Sequence, residues 1–175
     1  ALFEYASLLE EEGRVEESLE NYMRLYEEYP RSSLAEEALF RRGEILEEEG
    51  RYESAREAYY EHRSRFPEGE LVDVSLYHGA LAAQRNDQPY GAALQLERLV
   101  EEYPESAFHS QALRKLAELY DELGDYEKAV RYYGRFRSLY PEEAERYSVE
   151  RRIKTIEEIM EGKSPREAEL SVTVE

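Results

Sequence analysis

The sequence predicts an all-α fold built from four repeated helix pairs. Pro30, Pro67, Pro104 and Pro141 are spaced by 37 residues, and each follows an aromatic residue. Small and large apolar residues recur in the same register without a gap. Since periods of about 20–50 residues are typical of solenoids, we expect the helix pairs to stack in chain order.

Five further positions repeat with this spacing. They are Leu2, Leu39, Leu76 and Leu113; Ala6, Gly43, Ala80 and Ala117; Gly13, Gly50, Asp87 and Gly124; Ser18, Ala55, Ala92 and Ala129; and Tyr22, Tyr59, Leu96 and Tyr133. Small residues allow two helices to cross closely, while large apolar residues fill the space beside the crossing.

Each repeat reads as a first helix, a turn and a second helix. In the second repeat we expect helices over 34–49 and 52–65, with Gly50 supplying the left-handed residue between them. Pro67 cannot continue the second helix because proline lacks the backbone N–H. The third repeat departs from the pattern, since Asp87 replaces the turn glycine and Pro89 opens the second helix, a position that proline tolerates.

The C-terminal part extends beyond the four repeats at 1–141. Residues 142–161 are predicted to form one helix that caps the last repeat, because their apolar residues have helical spacing and Gly162 follows. Residues 163–175 give a weaker signal. Residues 170–174 alternate like a strand, so this segment is interpreted as a tail or as the start of a further segment.

The fourth repeat carries the most complete motif: Leu113, Leu116, Ala117, Tyr120, Gly124, Ala129, Tyr133 and Pro141. This arrangement resembles the tetratricopeptide repeat, a helix-turn-helix unit of about 34 residues. The resemblance covers residues 1–141 and implies a right-handed superhelical solenoid. Ala83 departs from it, because an aromatic residue is usual there.

The three extra residues in each repeat follow the proline, as in the segments after Pro30 and Pro104. Such long repeats are similar to those of bacterial cell-envelope proteins, including the outer-membrane assembly lipoprotein and the Tol–Pal-associated periplasmic protein. The resemblance implies a periplasmic or envelope location, with the cytoplasm as the alternative. Because no polar cap precedes Leu2, we expect the chain to be part of a longer protein.

Composition excludes several functional classes. With 23 Lys+Arg against 41 Asp+Glu, the net charge of -18 argues against nucleic-acid binding. No apolar run approaches the ~20 residues of a membrane span, so direct membrane insertion is not expected. The chain has no cysteine, no catalytic motif and no histidine pair at metal-ligand spacing. We therefore predict a non-enzymatic protein without metal or cofactor, and we expect its three isolated histidines to lie on or near the surface.

The family resemblance places the candidate site on the concave face, which the first helices line. The partner-binding residues that it implies are Phe3, Phe40, Glu44, Glu47, Tyr77, Leu81, Arg114, Glu118, Asp121 and Arg151. Aromatic residues in a row suggest exposed anchors for a protein partner, with Phe40 and Tyr77 as the main ones. The alternative is that Phe3 and Phe40 only pack against neighbouring first helices.

These residues predict a non-catalytic protein–protein interaction module. Its partner would be a peptide or helix with apolar anchors and some basic residues, by charge complementarity. The alternative is a structural spacer, or a segment that self-associates, in a larger multidomain protein. An enzymatic role would require a catalytic domain outside these 175 residues.

Overall fold

The computed structural model describes residues 1–173, and within them it contains eleven α-helices and no strand. The helices are α1 (Leu2–Glu11), α2 (Val15–Glu28), α3 (Ala35–Glu48), α4 (Tyr52–Arg65), α5 (Val72–Arg85), α6 (Pro89–Glu102), α7 (His109–Glu122), α8 (Tyr126–Leu139), α9 (Pro141–Arg146), α10 (Val149–Met160) and α11 (Pro165–Thr173). The first eight are the predicted pairs, and α4 has the predicted bounds.

The turn inside each pair has one residue in the left-handed conformation, always at the same position of the repeat. Gly13, Gly50 and Gly124 have φ of 73°, 71° and 75°, and Asp87 has φ of 57°. In the second repeat the Gly50 N–H donates to Glu47 O at 3.0 Å, and the next N–H reaches Leu46 O at 2.8 Å. These bonds satisfy carbonyls that the end of a helix would otherwise leave unpaired. Asp87 takes the glycine position because aspartate tolerates this conformation better than most residues.

Contacts divide the chain into two compact units, Ala1–Arg98 and residues from Leu99 onward, with the division inside α6. In the first unit, helices approach closely where the small-residue positions face large partners. A Cβ added at Gly43 would lie 2.5 Å from the ring of Tyr59, so this glycine makes room for a buried tyrosine. In the first pair, Ser18 Oγ donates to Ala6 O at 2.8 Å and ties the two helices together at their crossing.

In the second unit, the segment predicted as one capping helix forms two. Ser148 has φ of 53° and separates α9 from α10. Val149, Ile153 and Ile156 are buried, as their helical spacing indicated. Gly162 follows the end of α10 with φ of 103°, as predicted.

The strand-like interpretation of residues 170–174 is wrong for the described part, because α11 continues to Thr173; Val174 and Glu175 lie outside the described residues. Ser164 and Glu167 form a capping box: the Glu167 N–H donates to Ser164 Oγ at 3.4 Å, and the Ser164 N–H donates to the Glu167 carboxylate at 3.0 Å. With Pro165 at the first helical position, this motif is a helix-start signal present in the sequence.

The expectation that the histidines lie at the surface is wrong for two of them. His109 is buried in the second unit, where its Nε2 donates to Val100 O and its Nδ1 lies 2.7 Å from the Tyr140 hydroxyl. His62 is fully buried in the first unit, and neither of its ring nitrogens makes a hydrogen bond. Its Nε2 lies 3.5 Å from the carboxylate of Glu36.

Burial lowers the pKa of His62 to about 4 from an ordinary value of 6.5, and the nearby Glu36 carboxylate only partly opposes this. The unfolded chain therefore binds a proton near pH 6.5 that the folded chain refuses until about pH 4. Because the unfolded state binds more protons in this window, the free energy of unfolding falls as the pH is lowered from 6.5 to 4.

We predict that His62→Leu raises the stability and weakens this pH dependence. Leu25 and Leu99 occupy the equivalent positions of neighbouring repeats and are buried, so leucine fits the site. At about 1.4 kcal/mol per pKa unit, the stability gap between variant and wild type should widen by about 3 kcal/mol between pH 7.5 and pH 4. Urea unfolding at several pH values measures it, and an identical pH slope in both proteins would contradict the prediction.

Candidate partner-binding surface

The predicted aromatic anchors are not exposed. In the first unit Phe40 and Tyr77 are only 7% and 8% exposed, and Phe3 is half-buried. The expectation that they form an exposed aromatic strip is therefore wrong, although a role in binding stays a prediction. Leu81 is also half-buried on α5.

The reason for this burial is a repeated contact between the two helices of one repeat. The ring of Phe3 lies edge-on to Tyr22 at 5.2 Å, and that of Phe40 lies 5.6 Å from Tyr59, with the same sequence separation in both pairs. Aromatic pairs at these distances add to the stability beyond the area that they bury. The alternative weighed from the sequence had Phe3 and Phe40 packing on neighbouring first helices. For Phe40 this contact is present beside the one to Tyr59, because its ring lies edge-on to His78 of α5 at 6.3 Å.

A carboxylate near the end of each of three first helices links two successive repeats. The basic side chain that binds it lies 31 residues further along the chain, in the next repeat or in α10. The pairs are Glu10 with Arg41, Glu47 with His78, and Asp121 with Arg152.

The same carboxylates also accept a hydrogen bond from the tyrosine of their own second helix. The Tyr59 hydroxyl lies 3.1 Å from Glu47, the Tyr22 hydroxyl lies 3.4 Å from Glu10, and Tyr133 bonds Asp121. We call this arrangement of phenol, carboxylate and basic side chain the inter-repeat link. In the third repeat the sequence replaces the carboxylate and the phenol together, with Gln84 and Leu96.

Because of the inter-repeat link, two of the predicted site residues are largely buried and already hydrogen-bonded, which leaves little of them for a partner to contact. The side chains of Glu47 and Asp121 are only 12% and 8% exposed. Burial of Glu47 acts to raise its pKa, but hydrogen bonding and charge from His78, with help from Tyr59 and Arg85, outweigh it and hold the pKa below the ordinary value. Burial also raises the pKa of the Tyr59 phenol far above its usual range, so it stays a donor.

Sequence reasoning missed Arg152 and chose its neighbour. Arg152 makes a bidentate pair with Asp121 at 2.5 and 2.6 Å, whereas the predicted Arg151 is exposed. A signal was present, because position 152 continues a series that is basic from the second repeat onward, although the first repeat has Glu4 there: Arg41, His78, Lys115 and Arg152.

Two of the predicted residues of the first unit meet in a pocket of about 390 Å³ at the start of α3. Phe40 contributes the part of its ring that remains accessible, and Glu44 contributes a carboxylate that also binds Arg41 at 2.9 Å. Four of the lining side chains are acidic and one is basic: Glu36, Glu37, Glu44, Glu70 and Arg41. We call this cavity the acidic pocket.

Three predicted residues of the second unit line another pocket, also of about 390 Å³. Arg114 binds Glu118 at 2.5 Å, and its guanidinium lies 4.3 Å from the ring centre of Tyr147. Arg151 lines the same cavity, and Glu169 of α11 closes one side. We call it the terminal pocket, and its balance of charges is more even than that of the acidic pocket.

Family models with the description tetratricopeptide repeat match residues 6–70, 74–106 and 111–143. Together they cover most of the chain. The chain belongs to the tetratricopeptide repeat family. No curated protein matches this tetratricopeptide repeat chain.

Solved structures show the same fold at low sequence identity. A tetratricopeptide repeat protein from Parabacteroides merdae ATCC 43184 has a TM-score of 0.73 and 16% identity over 98% of this chain. MamA from Desulfovibrio magneticus RS-1 has a TM-score of 0.65 and 18% identity, with 98% of this chain and 91% of that one covered. A structure of Naa15/Naa10 bound to HypK-THB has a TM-score of 0.61 and 17% identity over 91% of this chain and 23% of that one.

These likenesses establish the fold class as an all-α solenoid of tetratricopeptide-like repeats. The chain spans 62% of the Parabacteroides protein. Proteins of this family generally act as non-catalytic scaffolds for protein–protein interactions. In the described part of this tetratricopeptide repeat chain, no helix has the length and apolar character needed to cross a bilayer.

We predict that Glu47→Gln destabilises the fold by about 1–2 kcal/mol at pH 7, because it removes a charged acceptor that holds two repeats together. The depressed pKa of Glu47 means that its contribution is present above pH 4.5 and is lost as the pH falls through the folded value. The difference in the free energy of unfolding between wild type and variant should therefore shrink below pH 4.

Thermal unfolding followed by circular dichroism measures this difference. Glu49→Gln is the control, since Glu49 is exposed at the adjoining turn, and it should change the stability by less than about 0.5 kcal/mol. Equal effects of the two substitutions at pH 7 would show that Glu47 does not link the repeats.

Proposed function

We propose that this chain is an interaction module that binds a peptide or helix of a protein partner on the face of its first helices. The observation that carries the proposal is the acidic pocket. It combines a shallow aromatic floor at Phe40 with four carboxylates and a single guanidinium. Such a cavity suits an extended basic side chain, because the aliphatic stem can lie on the ring while the charged end reaches the carboxylates.

The charged side chains of the acidic pocket favour a basic partner at this particular place on the surface, whereas the net charge favours one anywhere. Arg41 is already engaged by Glu10 and Glu44, so it offers little to an incoming anion. Glu37 and Glu70 are exposed at the rim, where they can meet a lysine or arginine without a large desolvation cost. The net charge of -18 would attract such a partner at long range and raise its association rate.

We expect that the double variant Glu37→Gln with Glu70→Gln weakens binding of a fluorescein-labelled helical peptide of leucine and lysine residues. Two exposed charge pairs contribute about 0.4–2 kcal/mol together, so the dissociation constant should rise by about 2-fold to 30-fold. Fluorescence anisotropy measures it. Phe40→Ala is a poor test, because that ring is part of the core.

The control is Glu11→Gln with Glu27→Gln, which makes the same change in net charge at two exposed positions outside the pocket. It should leave the dissociation constant nearly unchanged. Equal weakening by both double variants would mean that only the overall charge attracts the peptide, and the acidic pocket would then lose its assigned role.

A second candidate function, self-association of a spacer segment, is favoured by the exposed face of α1. Leu8 and Tyr5 are 49% and 47% exposed, whereas the positions equivalent to Leu8 are buried: Ile45, Ala82 and Leu119. A second copy of the chain could cover this apolar face.

If it does, sedimentation velocity should show a concentration-dependent dimer that Leu8→Glu abolishes. A glutamate there would place a charge in the contact at a large desolvation cost. A monomer at all concentrations would exclude this second function and leave the binding module.

The proposed setting is a larger protein of the bacterial cell envelope. The 37-residue period and the aromatic-proline turns support it, since both are similar to features of long-repeat envelope proteins. Cell fractionation with an antibody against this chain tests the location, and recovery from the cytoplasm would favour the alternative.

A further inference from the structure

Helix α11 does not take the place of a second helix in a fifth repeat. The residue 37 positions after Tyr133 is Leu170, and its side chain is 61% exposed. The corresponding side chains of the four repeats are all buried: Tyr22, Tyr59, Leu96 and Tyr133. Three positions that are buried and mainly apolar on α7 are charged and exposed on α10: Glu150, Lys154 and Glu157. At these positions α10 therefore offers a second helix no apolar face.

Instead, α11 packs on a strip of α10 formed by Arg151, Thr155 and Glu158. These residues share one face of the helix, because they are three and four positions apart. The Glu158 carboxylate accepts a hydrogen bond from Ser171 Oγ of α11 and lies 2.9 Å from Lys163 Nζ. Thr155 is only 3% exposed, whereas its equivalents in the four repeats are half-buried: Ser7, Glu44, Leu81 and Glu118. We call these three residues of α10 the end strip.

The end strip continues three series of residues that the sequence predicts to bind a partner. The intervals are multiples of 37 residues: Phe40, Tyr77 and Arg114 lead to Arg151, Glu44, Leu81 and Glu118 lead to Thr155, and Glu47 and Asp121 lead to Glu158. On α10, a helix of the same chain covers these positions. The chemistry of α11 therefore indicates which kind of segment the end strip accepts.

Three side chains of α11 carry this chemistry. Ala168 is fully buried, and the Ser171 hydroxyl three residues later donates to Glu158. Glu169 lines the terminal pocket, where the pKa of Arg152 is raised above its ordinary value. Hydrogen bonds to Asp121 are the main cause, and the negative charge of Glu169 adds to it. The end strip thus accepts a small residue, with a carboxylate one position later and a hydroxyl three positions later.

The helix that covers the end strip buries little of its own surface. Among the described side chains from Pro165 to Val172, Ala168 alone is buried. One buried methyl group contributes little hydrophobic free energy, and ion pairs on an exposed surface add little more. A helix of nine residues is also short, since isolated helices below about 12–15 residues are barely stable in water. A segment that buries more apolar area can therefore replace α11.

We propose that α11 is a replaceable occupant of the end strip, and that the strip binds a helical segment of a protein partner in its place. The partner segment repeats the pattern of Ala168, Glu169 and Ser171. This inference goes beyond the acidic pocket, because it assigns a second surface, in the second unit, to a segment that carries carboxylates. It shares with the proposed function only the series of positions that the two surfaces use.

The first part of the test releases α11 from the full chain. Ala168→Arg replaces a buried methyl group with a long charged side chain, and Ser171→Glu places a second carboxylate against Glu158. We expect heteronuclear NMR of each isotope-labelled variant to show the amide signals of α11 at random-coil positions. The two variants change the net charge in opposite directions, so a shared effect does not arise from charge.

Leu170→Arg is the matched control. It makes the same change in net charge as Ala168→Arg, on the same helix, but at an exposed position. The signals of α11 should therefore stay where they are in the wild type. Circular dichroism of each variant checks that the other helices are intact.

The second part titrates each chain with a peptide that has the sequence of residues 164–173, acetylated and amidated at its ends. The released chains should bind it saturably, with the largest shifts at Thr155 and Glu158. Their dissociation constant should be about tenfold or more below that of the wild type, in which the tethered α11 competes at a local concentration on the order of mM. Glu169→Lys in the peptide should weaken binding by about fivefold or more, because it brings a like charge to the arginines of the terminal pocket.

Four results would overturn the proposal. They are unchanged α11 signals in both release variants, no saturable binding by either released chain, equal binding by wild type and released chains, and a wild-type dimer that Ala168→Arg abolishes. The dimer would make α11 of a second copy the occupant. The basic peptide at the acidic pocket is tested with other variants, in the first unit, so the two proposals fail or stand separately.

Discussion

The buried tyrosine of the second helix is the group on which three of the four repeats depend, since the third has Leu96 in its place. Tyr59 shows all of its roles: its ring fills the space that Gly43 leaves open and packs against Phe40, while its hydroxyl bonds Glu47. Through that carboxylate it is connected to His78 of the next repeat. One side chain thus joins the close approach of two helices, the aromatic core of a repeat and the contact between repeats.

This use of the inner carboxylates limits what the face of the first helices can offer to a partner. A carboxylate that is buried and paired cannot change partners without leaving its basic partner unsatisfied, which is costly in a partly desolvated site. Glu47 and Asp121 are in this position, whereas Glu44 and Glu118 are more exposed and pair only with a neighbour on the same helix. On this face the accessible charges therefore remain in the pockets between links.

The sequence by itself determined the repeats, the helix pairs and the turns, because period, small residues and left-handed positions are local signals. It also contained the Ser164–Glu167 capping box and the basic series ending at Arg152, which were readable but overlooked. Only the tertiary structure decided which periodic residues are accessible: Phe40 and Tyr77 repeat in register whether they are exposed or buried, and both are buried, Phe40 against Tyr59 of the paired helix. The bond of Arg63 to Gln95 past Gly79 also needed the fold, since these residues belong to three helices and meet only when those helices pack.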